Sequence, residues 1–301
     1  MPRSLDGKVV LVTGPARGIG RETARRLAAR GARLSLVGLE PERLEALTAE
    51  LGAEHVWFRA DVTDQQALEG AVAGTVEALG GIDVVVANAG VAANGTVAVT
   101  PVEALVRVID VNLSGVVRTV HATLPAVAER RGYLLLVSSA AALAAMPGIS
   151  TYAAAKAGVE FFGNAVRLEV AHRGVDVGVA HPAWIDTDLV RDQIRDLPSF
   201  ERTIRSLPGP FGSLTTVEAC ADALVDAIER RRRQVFVPRS LAPLAAVRQL
   251  FSSRLMDRVS LRRAAAAVPR LEREVAALGR SFGESSVGEG AGPAPATAPG
   301  D

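Results

Sequence analysis

The stretch "STYAAAKAGVE", residues 150–160, holds one of the chain's two tyrosines and one of its two lysines, four positions apart. Apart from Lys8, every other side chain of the Lys and Arg type is Arg. With so few of each residue, a Tyr-x3-Lys pair arises by chance about once in a hundred such chains, and a motif of this kind still needs its structural context. On a helix, residues four apart share a face, so Tyr152 and Lys156 could present a phenol and an ammonium together. The chemistry this allows is proton transfer. A free Tyr has a pKa of about 10, and a nearby ammonium favours the phenolate. Lys suits such a task as a compact charge with three rotatable donors, whereas Arg is a wide planar fork. The plain alternative is a well-packed Ala-rich helix carrying a surface Tyr and Lys.

Further candidates follow along the chain. In "TGPARGIG", residues 13–20, Gly14, Gly18 and Gly20 lie where an apolar run gives way to a helical pattern. Glycines so placed permit a tight turn and a close backbone approach to a pyrophosphate, with helix N-terminal amides aimed at the anion. Glycines also merely close turns, so the position after the first strand carries the argument. Ala60 and Asp61 close the third strand-like run; a carboxylate there can accept from an adenine amino group, or simply cap a helix. Asn88, Ala89 and Gly90 close the fourth. Both places are carboxyl ends of strands, the rim at which open α/β sheets bind ligands. Asn112 falls inside a long helical stretch, where Asn is disfavoured. Ser139 closes "GYLLLVSS" thirteen residues before Tyr152.

These residues need a scaffold to hold them. Apolar runs in "KVVLVTG", "ARLSLVG", "HVWFRADV", "IDVVVANAG", "GYLLLVSS", "VDVGVAHP" and "QVFVP" alternate with helical patterns. Continuous Val, Ile and Leu runs mark strands buried on both faces, as in parallel sheets, and a βαβα alternation marks a doubly wound fold. The expectation is an α/β chain with a single doubly wound parallel sheet of about seven strands, helices covering both faces, and a C-terminal helical extension. The expected division is one domain over residues 1–240 that carries the candidate residues, a basic helical extension over 241–280 and a disordered tail over 281–301.

Composition narrows the classes. With 301 residues and 49% hydrophobic content, the chain can fill one large α/β domain or two smaller ones. A formal charge of +1 gives the whole molecule no general attraction to nucleic acid or membrane. The single cysteine, Cys220, excludes an internal disulfide framework and a Cys-rich metal site. His55, His121, His172 and His181 show no metal-ligand spacing. The opening "MPRSLDGKVVLVTG" lacks the charged and apolar regions of a signal peptide, and no stretch reaches the roughly 18 uncharged apolar residues of a spanning helix. A reducing cytoplasm is the expected location.

With Gly14-x3-Gly18-x-Gly20, Asn88-Ala89-Gly90, Asn112, Ser139 and Tyr152-x3-Lys156 in this order, the chain resembles the short-chain dehydrogenase/reductase (SDR) family over roughly residues 5–240. The resemblance implies a single-domain Rossmann oxidoreductase that uses NAD or NADP, acts on CH–OH groups or the corresponding carbonyls, and assembles as a homodimer or homotetramer. It implies Tyr152 as proton donor or acceptor, Ser139 as holder of the substrate oxygen, Lys156 as ribose ligand and tuner of the tyrosine, and Asn112 as anchor of a water relay. It implies cofactor contacts from Gly14, Arg17, Gly18, Ile19, Gly20, Asp61, Val62, Asn88, Ala89, Gly90, Pro182, Ile185 and Thr187, besides Tyr152 and Lys156, and no metal. The family's Pro-Gly after the sixth strand is Pro182-Ala183 here. An intact set of Asn112, Ser139, Tyr152 and Lys156 favours a working enzyme over a cofactor-binding regulator or scaffold, which has no need of the Ser and Tyr.

Cofactor choice rests on few residues. An NAD enzyme of the family usually carries an acid at the position of Gly38, and many NADP enzymes an Arg at that of Leu39; neither is present. Arg17 could pair with a 2′-phosphate, and Gly38 removes a repelling charge, so NADP(H) is favoured. Glu40 could still reach a ribose hydroxyl of NAD(H). The span from Asp188 to Thr215, with Phe200 and Phe211 beside Trp184, is the expected lid over an apolar pocket. The small-molecule partner is then a hydrophobic carbonyl compound or secondary alcohol, and no nucleic acid is expected.

From Arg230 to Arg280 there are 13 Arg against Asp257, Glu272 and Glu274, an excess of ten positive charges that leaves the remainder at −9. Helical periodicity brings Leu244, Val247, Phe251, Leu255 and Val259 towards one side, with Arg248 and Arg258 at its margins. Such a helix could dock on the acidic remainder or on a second subunit, or make peripheral contact with an anionic membrane. The final "SFGESSVGEGAGPAPATAPGD" has almost nothing to bury, hence the disorder expected of it.

Overall fold

The seven apolar runs form one parallel sheet in which, counted along the chain, the strands lie side by side in the order third, second, first, fourth, fifth, sixth and seventh. A computed structural model describes residues 2–93, 95–207, 212–248 and 254–286 of the chain. Along it lie β1 (Val9–Thr13), α1 (Gly18–Ala28), β2 (Arg33–Gly38), α2 (Pro41–Leu51), β3 (Val56–Arg59), α3 (Gln65–Leu79) and β4 (Val84–Ala87). Then come α4 (Val102–Ile109), α5 (Gly115–Glu129), β5 (Tyr133–Val137), α6 (Ser150–Glu169), β6 (Asp176–Pro182), α7 (Asp188–Asp196) and α8 (Pro198–Arg205). The last elements are α9 (Val217–Arg230), β7 (Gln234–Val237), α10 (Ala242–Ala246) and α11 (Arg254–Leu278).

Both faces of the sheet are buried because successive side chains of a strand point to opposite sides. On one face Val10, Val12, Leu34, Leu36, Val84, Val86 and Leu135 meet Ala24 and Leu27 of α1 and Leu224 and Ile228 of α9. On the other, Leu11, Val37, Val85, Ala87, Leu134 and Leu136 meet Leu68 of α3, Val116 and Val120 of α5 and Val159 of α6. The helix bounds follow local chemistry: Asp64 accepts from the Ala67 amide at 3.0 Å to start α3, and Gly80, at φ 81°, stops it. Strand order reverses between β1 and β4, and the crevice outside their carboxyl ends is where such sheets take ligands.

One helix departs from expectation. The long stretch carrying Asn112 is not a single α-helix, since a π-helical turn over Asp110–Ser114 separates α4 from α5. The wider turn frees backbone acceptors, and the Asn112 side-chain amide donates to Val108 O at 2.9 Å and to Val91 O at 2.7 Å.

The C-terminal elements also differ from the pattern read in the sequence. The stripe from Leu244 to Val259 is not one helix: α10 ends at Ala246 and α11 begins at Arg254. Arg248, between them, turns inward and donates at 2.8 Å to both oxygens of the buried Glu160 carboxylate on α6. Phe251 lies outside the described residues. The second half of α11 docks on the chain's own domain, burying Leu271 and Val275 against Ile149, Leu197, Phe200 and Ile204. Glu274 there accepts from the Ser199 amide at 2.8 Å and from Arg202 at 3.2 Å, and Glu272 accepts from Thr96 at 2.8 Å. Leu271 packs over Gly148, whose φ of 85° favours glycine at the place where α11 approaches. Part of the stretch expected to be disordered is ordered, because Phe282 forms a bridge with Ala93 and residues Glu284–Ser286 a 3-10 turn. Residues 287–301 lie outside the description. Among the described residues no helix is long and apolar enough to cross a membrane.

Candidate active site

At the carboxyl end of β1 the chain turns through Gly14, at φ 65°, where a Cβ would lie 2.8 Å from Ala89 Cα. A Cβ on Gly20, inside α1, would meet Gly14 O at 2.3 Å and Asn88 Nδ2 at 2.6 Å. Only glycines let turn, helix and β4 end approach so closely. The first turn of α1 has neither a side-chain cap nor an acidic residue, so its amides face outward as an anion site. Asn88 ties the rim together by donating to Thr13 O and Gly14 O, each at 3.1 Å. The Thr13 hydroxyl accepts from the amides of Asn88 and Ala89 at 3.0 and 3.2 Å. Thr13 was not singled out by sequence, although its place before the first glycine was the available signal.

Asp61 accepts from the Thr63 amide at 2.8 Å, closing a local turn, while Asp64 is the cap of α3. Arg17 is already paired with Glu40, which also lies 3.4 Å from Arg43. The carboxyl end of β2 at Gly38 thus carries a guanidinium whose charge is balanced by Glu40.

The opposite wall comes from β5, β6 and α6. Ser138 and Ser139 divide the end of β5 between them: the buried Ser138 hydroxyl donates to Lys156 O at 2.6 Å, whereas Ser139 stands beside the Tyr152 phenol. Ser139 also accepts from the Ala141 amide at 3.1 Å and donates to Pro182 O at 3.3 Å. Lys156 Nζ stands 5.6 Å from the Tyr152 ring centroid and donates to Val137 O at 2.9 Å. Burial brings the Lys156 pKa down from 10.5 to about 8. Burial also pushes the Tyr152 phenol up, partly opposed by the Ser139 hydroxyl beside it. Burial thus outweighs any lowering of the phenol by the ammonium, because desolvation penalises both charged forms. Asn112 Oδ1 is buried and has no hydrogen-bond partner among the described residues. It and Lys156 Nζ both border Gly90, where a Cβ would lie 2.7 and 3.6 Å from them.

Ile185, buried after β6, accepts from the Thr187 amide at 2.7 Å, and Thr187 Cγ2 would lie 3.2 Å from a Cβ on Gly18. One cavity is lined by Gly14, Arg17, Gly18, Ile19, Gly20, Asp61, Val62, Asn88, Ala89, Gly90, Asn112, Ser139, Tyr152, Lys156, Pro182, Ile185 and Thr187. Sequence reasoning missed Val91, Arg107, Val111, Leu189, Ser285 and Ser286 on the same wall. Beside Tyr152, Trp184 and Phe200 meet edge to face at 5.4 Å within the apolar cluster that includes Leu271. Phe211 lies outside the described residues. No group of His, Cys, Asp and Glu among the described residues is placed to hold a metal ion.

The sequence pattern of the family described as short chain dehydrogenase matches residues 8–198. The chain belongs to that family. Within reach of this short chain dehydrogenase, the 3-oxoacyl-acyl-carrier-protein reductase FabG of Escherichia coli is 34% identical over 189 residues, covering 62% of this chain and 78% of FabG. Glycine betaine reductase ATRR of Emericella nidulans is 37% identical over 190 residues, 62% of this chain but 15% of ATRR. A short chain dehydrogenase/reductase from Burkholderia phymatum, crystallised in complex with NAD, superposes with a TM-score of 0.72 at 23% identity, covering 82% of this chain and 95% of that one. That likeness establishes a shared fold.

Proposed function

We propose that this chain transfers a hydride between a nicotinamide dinucleotide, NADP(H) ahead of NAD(H), and a carbonyl or secondary alcohol in an apolar substrate. Tyr152 is its general acid and base. The observation that carries the reading is the meeting of Asn112, Ser139, Tyr152 and Lys156 in the cavity that also contains the glycine turn. A dinucleotide suits this cavity: Gly14 and Gly20 leave no room for a Cβ, the α1 amides lack a cap, and Asn112 Oδ1 lacks a donor among the described residues. The glycine turn and Thr187 would hold the phosphates, Asp61 the adenine and Lys156 the ribose. When bound, the nicotinamide supplies or accepts the hydride.

The chain's own residues handle the proton. Burial keeps the Tyr152 phenol protonated, which suits it to donate to a carbonyl oxygen as that carbonyl is reduced. Ser139, beside the phenol, would turn its hydroxyl from Pro182 O to donate to the same oxygen and fix its direction. The Lys156 ammonium against the ring stabilises the phenolate left behind. Ribose hydroxyls would give this buried ammonium the acceptors it lacks.

Arg17 and the missing acid at Gly38 support NADP(H), since a 2′-phosphate can take the guanidinium from Glu40 as the stronger bidentate acceptor. Trp184, Ile149 and Phe200 support an apolar group next to the reacting carbon. Phe161 and Leu168, 78% and 69% exposed and seven residues apart on α6, support association into a homodimer or homotetramer. The test is a panel of carbonyl compounds and alcohols followed by nicotinamide absorbance with both cofactors. Wild type should turn over an apolar member, and Tyr152→Phe should lose at least 10³-fold in rate while binding cofactor normally. Equal turnover by both would end the assignment of Tyr152, and cofactor binding without turnover across the panel would favour a regulator or scaffold.

A further inference from the structure

Residues Arg280–Ser286, which no step above uses, cross the mouth of the cofactor cleft. The Phe282 backbone bridges Ala93, three residues beyond Gly90. Arg280 donates to both oxygens of Asp196 at 2.8 Å, and the Ser285 amide donates to Asp192 Oδ2 at 2.7 Å. Arg195 joins Asp192, at 3.0 Å, to Glu284, at 3.3 Å. The Asp192 and Asp196 side chains are only 8% and 5% exposed, so the carboxylates that anchor the segment are buried while their arginine partners reach solvent. At Gly283 a Cβ would lie 2.7 Å from Asp192 Cβ, which presses the chain onto α7 where only glycine fits.

Held in this way, Ser285 and Ser286 form part of the wall of the cavity that contains the glycine turn and Tyr152. Ser285 also borders the recess formed by Arg17, Glu40 and Asp188. The serines therefore stand between the Arg17 and Glu40 pair and the start of α7, along the span where the phosphates of a dinucleotide would cross. The Ser286 hydroxyl is buried and has no hydrogen-bond partner among the described residues. A buried hydroxyl in that condition is costly unless a ligand completes it.

We propose that Arg280–Ser286 is a strap over the bound dinucleotide and that Ser286 is one of its ligands, its hydroxyl donating to a phosphate oxygen. This rests on the reading of the cleft as a dinucleotide site. The strap must lift for the cofactor to enter or leave, so cofactor exchange is gated from the C-terminus.

The experiment uses full-length protein, with NADPH and NADH as fluorescent probes, equilibrium titration for Kd and stopped-flow displacement for the dissociation rate. Ser286→Ala should raise Kd about tenfold for both, the usual scale of one hydrogen bond to a charged group. Gly283→Ala, which pushes the strap off α7, should speed dissociation by a similar factor, and unchanged melting of the ligand-free Ser286→Ala protein should exclude a folding defect. Should Gly283→Ala not fold, Ser286→Ala decides alone. Constants and rates within twofold of wild type would overturn the strap while leaving the dinucleotide site standing. Failure of the wild type to bind either nucleotide would remove both.

Discussion

Replacing Lys156 by Met is expected to stabilise the ligand-free protein while ending turnover. The ammonium is buried on α6, and burial brings its pKa from 10.5 down to about 8. At 1.36 kcal/mol for each tenfold step in proton affinity, that gap amounts to about 3 kcal/mol set against the folded state near pH 7. Loss of the hydrogen bond to Val137 O takes back about 1 kcal/mol. The net gain is about 2 kcal/mol, on the order of 4 °C in Tm for a chain of this size. Between pH 8 and 10.5 the unfolded chain holds a proton that the folded protein releases, so the Lys156 contribution to stability rises with pH across that window. Cys220, pushed up to about 12 by burial, and the raised Tyr133 and Tyr152 act in the opposite direction once the unfolded chain loses their protons. The quantity to follow is therefore the difference between wild type and Lys156→Met, measured by thermal unfolding at pH 7 and pH 10. The variant should be the more stable at pH 7, and the gap should close towards pH 10. A variant less stable at pH 7, or a gap that does not change with pH, would refute the reasoning.

Lys156→Arg should not restore turnover, because the wide guanidinium cannot occupy the pocket of a compact buried ammonium; activity within tenfold of wild type would contradict this. Arg17→Ala should weaken NADPH binding more than NADH binding, and equal losses in titration would mean that Arg17 does not read the 2′-phosphate. Gly20→Ala, whose Cβ would sit 2.3 Å from Gly14 O, should lower stability by about 1–3 kcal/mol in denaturant unfolding and weaken both cofactors together. Docking as the role of residues 241–280 predicts no co-sedimentation with anionic vesicles at low salt; salt-sensitive binding that disappears when residues 241–301 are removed would instead assign membrane contact to the first half of α11, where Leu261, Arg262 and Arg263 are exposed.

The sheet was legible because its strands are buried on both faces, and that requirement writes itself as unbroken apolar runs such as "KVVLVTG" and "GYLLLVSS". The glycine turn was legible for a related reason, since at Gly14 and Gly20 the surrounding backbone excludes every other residue. The position of Asn112 was visible but its setting was not. A π turn has no period of its own to read, and what holds it is a side chain reaching Val91 and Val108. Tyr152 and Lys156 could be paired by spacing, yet the direction of their pKa values depends on burial, which the dipeptide does not encode. The serines at 285 and 286 were hidden for a different reason. Their anchors, Asp192 and Asp196, lie some ninety residues earlier, so composition alone reads them as part of an unstructured tail.

The π turn at Asp110–Ser114 amounts to a one-residue insertion absorbed inside a helix. Each residue of an α-helix advances its neighbours by about 100°, and the wider turn takes up one such step within itself, so Val116, Val120 and Val127 face the sheet in much the phase that a regular helix one residue shorter would give them. Removing one residue there should therefore let α4 run into α5 with its packing face kept, while Asn112 loses the turn that sets it at the border of Gly90. The extra residue serves the site rather than the fold, and a chain shortened by it should fold as before with Asn112 withdrawn from the cavity.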